Sequence, residues 1–166
     1  DNVAAGSEHP MQALLIANAN PCYTMPGGDT VKKAFEKIPF IVSFSPYMDE
    51  TAQNADLILP NHTNLERWED VPVTAGLPKP VMGLAKPVVE PLYNTRNTGD
   101  VILDVAKRIG GNVAAAFPWR SFEACLKKTL RSQWRSLSRK GVVQDSRYRP
   151  PAWESAFATP SKKFMF

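Results

Sequence analysis

Cysteine is scarce in this chain. Only Cys22 and Cys125 occur, far apart and outside any CxxC or Cys/His spacing, so neither a disulfide framework nor a zinc or iron–sulfur site is supported, and both read as free thiols. Long apolar runs are missing as well. No stretch approaches the roughly 20 residues of a membrane-spanning helix, and the opening DNVAAGSEHP lacks the charged and apolar regions of a signal peptide. The chain therefore reads as soluble. There is no GxGxxG: the pair Gly27–Gly28 lies too far from a strand and has no third glycine, which argues against an ordinary NAD site. The absence of GxxxxGK[ST] excludes a P-loop nucleotidase. Only two histidines occur, and His62 stands in a loop distant from His9, so hydrogen bonding is favoured over metal binding. Internal repeats and low-complexity tracts are absent too.

What is present suits one packed core with an appended arm: 166 residues, 43% of them hydrophobic. The 20 basic and 16 acidic residues leave a formal net charge of +4, and much of the excess falls between Lys127 and Arg149. That is a local basic arm, the solvated face of an amphipathic helix, and no nucleic-acid partner is expected. The chain opens at Asp1 and closes on SKKFMF, where Phe164 and Phe166 alternate as in a strand that needs a partner. It is expected to be a piece of something longer, inert alone and prone to self-association.

The patterning alternates strand and helix. QALLIA (Gln12 to Ala17) reads as a strand buried on both faces. VKKAFEKI then puts Val31, Ala34, Phe35 and Ile38 on one helical face, with Asp29 or Thr30 as the cap. FIVSF is a second strand, ETAQNA about two turns of helix, and DLILP a third strand stopped by Pro60. This β-α-β-α-β order predicts an α/β fold with a partial, open parallel sheet and flanking helices. From Val71 to Asn97 five prolines predict an extended surface segment with little regular structure. A helix follows from about Thr98, with Val101, Val105 and Ile109 on one face and Leu103 and Ala106 widening it. A longer amphipathic helix is expected from Ser121 to Arg139.

In an open parallel sheet each strand delivers its following loop to the carboxyl edge, where ligands bind. Three loops converge there: NANPCYTMPGGD, SPYMDE and NHTNLERWED. They supply Asn18, Asn20, Ser43 or Ser45, Asp49 and Arg67, together with backbone N–H groups, a set suited to the polar groups of a nucleotide. Blander readings compete. Asn18 and Asn20 fit turn geometry, and Asp49 and Glu50 favour a helix start. Arg67 with Glu66, Glu69 and Asp70 fits an ion-pair cluster around Trp68.

The segments LLIANANPCYTMP, IVSFSPYMDETAQNADLILPNHTNLERWED, NTGDVILDVAKRIGG and FATPSKKFMF occur in an order similar to that of large molybdopterin oxidoreductases of the dimethyl sulfoxide reductase family. The resemblance covers nearly the whole chain. Its most specific element is ETA-x-x-AD-x-x-LP followed by LE-x-W. The resemblance implies that residues 1–116 form the second half of a Rossmann-like domain cradling the guanosine end of molybdopterin guanine dinucleotide. Residues 117–166 would be a helical arm and linker toward a further domain. It also implies that Asn18 and Asn20 line the nucleotide loop, that Ser45 stands where relatives often carry a ribose-binding aspartate, that Arg67 lies beside the guanine, and that Asp100 reads its edge. Asp100 alone would be an ordinary helix-start carboxylate. Lys162 and Met165 replace a more usual glycine and glutamate.

For the parent, the resemblance implies molybdenum or tungsten on the pterin, a 4Fe-4S cluster upstream, an iron–sulfur electron-transfer subunit and a membrane anchor subunit. It implies a prokaryotic periplasmic, membrane-associated or cytoplasmic location and a two-electron redox or oxygen- or sulfur-atom transfer. The metal ligand would lie outside this chain, and the isolated piece is expected to hold no cofactor. LERWEDVPVTAG followed by KPVVEPLYNTR also resembles cofactor-free structural subunits of membrane quinone-linked electron-transfer complexes.

Overall fold

The structure is a computed structural model that describes residues 3–6, 11–72, 79–145, 147–149 and 157–163. It divides into two compact units, Asp1–Trp68 with Lys86–Cys125 and Glu69–Ala85 with Leu126–Phe166.

The first unit carries the parallel sheet. Strand β1 (Leu14–Ile16) is followed by helices α1 (Pro21–Thr24) and α2 (Gly28–Phe35), strand β2 (Ile41–Ser43), a single 3-10 turn over Ala52–Asn54, and strand β3 (Leu57–Ile58). The order is β1-β2-β3, with Leu14 opposite Ile41 and Val42 opposite Leu57. Central β2 is buried throughout, as a short apolar run predicts. β1 departs from the double burial expected of it: Ile16 is buried, but Leu15 is 52% exposed because only one face of this edge strand is covered by helix. Ile16, Cys22, Phe35, Ile38 and Ile41 form the core between sheet and helix. At the start of β2 the Asp56 carboxylate accepts the Ile41 N–H at 2.7 Å, taking a place in the hydrogen-bond ladder.

Two local expectations are corrected here. Helix α2 begins at Gly28 with Gly27 as its cap, so neither Asp29 nor Thr30 caps it. Proline-led α1 supplies the preceding turn and packs so closely that a Cβ on Gly28 would meet the Cys22 carbonyl oxygen at 2.5 Å. ETAQNA makes one 3-10 turn rather than two turns of α-helix. Side chains compete there for the backbone: Asp49 accepts the Ala52 N–H at 2.7 Å, and the Asn54 amide donates to the Glu50 carbonyl at 2.7 Å.

Helix α3 (Thr98–Ile109) is capped by Asn97, whose side-chain oxygen accepts the Gly99 N–H at 2.8 Å. Its buried residues are Leu103 and Ala106, while Val105 and Ile109 are exposed, so the packed face is rotated from the stripe first expected. Short α4 (Gly111–Ala116) and then α5 (Phe122–Leu130) follow.

The second unit holds a sheet that the sequence reading missed. The proline-rich segment contains β4 (Glu69–Pro72) and β5 (Val81–Ala85), and both belong to an antiparallel sheet in the order β4-β5-β6, where β6 is Val142–Gln144. Asp70 faces Leu84 and Met82 faces Val143. The single helix expected from Ser121 to Arg139 is interrupted by a 3-10 turn at Arg131–Gln133, with Arg131 at φ 44°, before α6 (Trp134–Lys140). A straight helix would stack Lys127, Arg131, Arg135 and Arg139 in one column, where each like-charge pair costs about 0.2–0.5 kcal/mol. Leu137 of α6 is fully buried. Lys162, in a glycine-like position by resemblance, takes φ 54° in the left-handed region that favours glycine. The strand expected of Phe164 and Phe166 lies outside the described residues.

Candidate functional site

The loops after β1 and β2 are stitched by polar groups that run from exposed Glu50 to fully buried Thr51. The Asn20 side chain donates to Glu50 Oε2 at 2.8 Å and accepts from Thr51 Oγ1 at 2.7 Å, while Thr51 Oγ1 accepts the Cys22 N–H at 3.2 Å. Thr51 is fully buried, so this hydroxyl joins the two loops from inside. The hydrogen bond from Asn20 holds the Glu50 carboxyl below the usual carboxylate range. Ser43 is buried and its Oγ accepts the Ser45 N–H at 3.3 Å. Ser45 Oγ donates to Asp49 Oδ2 at 2.8 Å and accepts the Tyr47 N–H at 3.2 Å. Asn18 is exposed at φ 53°, the turn geometry that asparagine tolerates.

The loop after β3 fixes the start of α3 at the carboxyl edge. Buried Asn61 donates its N–H to the Phe44 carbonyl at 3.2 Å and accepts the Thr98 N–H on its side-chain oxygen at 3.0 Å. The Arg96 N–H reaches the Pro60 carbonyl at 3.0 Å, and His62 Nδ1 lies 2.7 Å from Thr95 Oγ1. In the next turn Glu66 closes a reciprocal cap, accepting the Thr63 N–H at 2.9 Å while its own N–H donates to the Thr63 carbonyl at 3.0 Å. That bond holds the Glu66 carboxyl below its ordinary range, and the Leu92 N–H at 3.3 Å adds to it.

Arg67 and Asp100 consequently line one small cavity of about 180 Å³, together with His62, Trp68, Asn97 and Phe122. Arg67 Nη1 donates to the His62 carbonyl at 3.0 Å. Asp100 Oδ1 accepts the Phe122 N–H at 2.6 Å, and Oδ2 has no hydrogen-bond partner among the described residues. The Phe122 ring rests on the first turn of α3 because residue 99 is glycine: a Cβ there would lie 2.5 Å from the ring. A free carboxylate oxygen, a guanidinium and aromatic walls can accept base N–H groups, donate to oxygen and stack on a ring. No cluster of three metal-ligating side chains occurs among the described residues. A larger cavity of about 810 Å³ beside β1 and α2 is lined by groups such as Leu15, Met25, Val31 and Phe35 and by no titratable residue, and one of about 610 Å³ is lined by Arg96, Asp104 and Arg108 among others.

Residues 2–108 match the family model described as molybdopterin oxidoreductase. The chain belongs to this family. It is 37% identical over 125 residues to the menaquinone reductase, molybdopterin-binding-like subunit, of Nitratidesulfovibrio vulgaris, a match covering 75% of this chain and 18% of that protein. It is 28% identical over 123 residues to the thiosulfate reductase molybdopterin-containing subunit PhsA of Salmonella typhimurium, covering 74% of this chain and 16% of that one. The chain therefore spans less than a fifth of the length of these two relatives. Among known structures, acetylene hydratase from Pelobacter acetylenicus shares the fold, with a TM-score of 0.68 over 86% of this chain and 20% of that one, at 21% identity.

The chain thus brings together Arg67 with Asp100, Ser43 with Ser45, and Asn20 with Thr51. Thr51, Asn61, Asn97 and Phe122 are the positioning residues that sequence reasoning passed over. Asn97 alone left a signal, since asparagine two residues before Gly99 at a helix start is a capping pattern. No helix among the described residues is long and apolar enough to cross a membrane.

Proposed function

We propose that this chain is the part of a molybdopterin oxidoreductase large subunit that holds the guanosine end of molybdopterin guanine dinucleotide. Residues 1–116 supply the polar groups that bind it, Phe122 walls the pocket, and the rest of residues 117–166 lead toward a further domain. One observation carries the reading: Arg67 and Asp100 line the same pocket, and one Asp100 oxygen has no partner among the described residues. The pocket fits a base alone, since 180 Å³ is below the roughly 300–1,000 Å³ of sites that enclose whole ligands. Asp100 accepts from the guanine N–H edge. Arg67 stacks on the base or reaches a phosphate oxygen. Ser45 with Asp49 serves the ribose hydroxyls, Ser43 supports Ser45 from beneath, and Asn18 and Asn20 shape the adjoining loop.

In the longer protein the pterin carries molybdenum or tungsten and supplies two-electron redox or oxygen- or sulfur-atom transfer. The protein's share here is to hold and orient it. A 4Fe-4S cluster upstream, an iron–sulfur subunit and a membrane anchor complete this reading, in a periplasmic, membrane-associated or cytoplasmic setting. Alone, the chain covers its exposed β1 groove with a second copy, and light scattering on the purified chain should show concentration-dependent association. A strictly monomeric species would contradict that.

A second reading has its own support: a structural subunit without the cofactor, in a quinone-linked complex. The side chains of Asn20, Ser43 and Ser45 already satisfy one another or their neighbours, and one relative is named molybdopterin-binding-like. Metal analysis of the longer protein, with release of guanine nucleotide on denaturation, separates the two. Molybdenum or tungsten with guanine supports the first, and the absence of all three supports the second.

A further inference from the structure

Between Lys127 and Lys140 the sequence KKTLRSQWRSLSRK contains six cations and no acid. The chain as a whole carries only +4, so the remaining residues are net negative. Lys127, Lys128, Arg131, Arg135, Arg139 and Lys140 are all exposed, and none forms an ion pair with a described residue. Arg96 and Lys107, by contrast, both reach Asp104, at 2.7 and 3.5 Å. On α6, Arg135 and Arg139 stand one turn apart, and such like-charge pairs are unfavourable until an opposite charge meets them.

We infer that this basic face of α5 and α6 is a docking surface for an acidic face of a partner protein. Charge complementarity selects an anion. The buried apolar sides select a protein over a lipid surface: Leu126 and Leu137 are 6% and 0% exposed, so these helices have turned inward the face that a membrane-surface helix inserts. Arg135 and Arg139 are separated by about 6 Å along the helix, which matches carboxylates one turn apart on a partner helix. The steering is electrostatic, so it acts mainly on the rate of encounter and weakens with salt. It is independent of whether the pocket at Arg67 and Asp100 holds guanosine.

The test titrates the whole chain into fluorescently labelled poly-L-glutamate and, separately, into phosphatidylglycerol vesicles, at low ionic strength and at about 1 M salt, where the Debye length is about 3 Å. Poly-L-glutamate should bind at low salt and release at high salt. Arg135→Glu with Arg139→Glu should weaken it about tenfold or more, and so should Lys127→Glu with Lys128→Glu. Lys32→Glu with Lys33→Glu, the same charge change on exposed residues of α2, should leave it unaltered, with circular dichroism checking each fold. Absent binding, equal losses from all three reversals, or vesicles bound as tightly as poly-L-glutamate would overturn the inference.

Discussion

Asp100 Oδ1 accepts the Phe122 backbone N–H at 2.6 Å, so the first turn of α3 is fastened to the first residue of α5 by a single carboxylate oxygen. The same carboxylate thus has a structural duty on one oxygen and an open position on the other. Its surroundings depend on how closely the Phe122 ring approaches α3.

That approach is testable at Gly99. An added Cβ would meet the ring at 2.5 and 2.6 Å and the Asn97 side-chain oxygen at 3.0 Å. Gly99→Ala should therefore destabilise by about 1–3 kcal/mol through overpacking, lowering Tm by several degrees in a thermal unfolding scan. An unchanged Tm would mean that the ring moves aside freely.

Thr51 offers a second test. Its hydroxyl bonds both Asn20 Oδ1 and the Cys22 N–H from a fully buried position. Thr51→Val keeps the shape but strands both partners and should cost about 1–3 kcal/mol in urea unfolding, while Thr51→Ser should retain most of the stability. Equal stability of the two variants would remove the hydroxyl from the account.

Glu66 predicts a pH dependence. The Thr63 N–H favours its ionised form in the folded chain, so its folded pKa lies below its unfolded one. The contribution is complete above the unfolded glutamate range and is lost as pH falls through the folded value. Urea midpoints measured from about pH 7 to about pH 3 should fall less steeply at the acid end for Glu66→Gln than for wild type. Parallel curves would contradict the assignment.

The parallel sheet was legible because LLI, IVS and LIL are short apolar runs separated by helix and turn signals, which a local pattern encodes. The antiparallel sheet was not. Val81–Ala85 sits in proline-rich sequence, and its partner Val142–Gln144 lies far along the chain, so no local periodicity links them. Similarly, the break at Arg131 reflects a positive φ in an arginine, which propensity disfavours. At the site, Arg67 and Asp100 were paired through family resemblance alone. The Asn61 and Thr95 contacts that bring α3 to the β3 loop depend on tertiary placement and leave no motif.

The most direct test of guanosine binding exchanges one oxygen. Asp100→Asn keeps an acceptor for the Phe122 N–H but replaces the open oxygen with an NH2 donor, which repels the guanine N–H edge. Guanine released per chain on denaturation of the longer protein should fall by an order of magnitude or more in Asp100→Asn, a loss of about 1.5–3 kcal/mol, with folding preserved by circular dichroism. Arg67→Ala should lower occupancy with less effect on the choice of guanine over adenine. Wild-type guanine content in Asp100→Asn would contradict the account and leave Asp100 only its bond to Phe122.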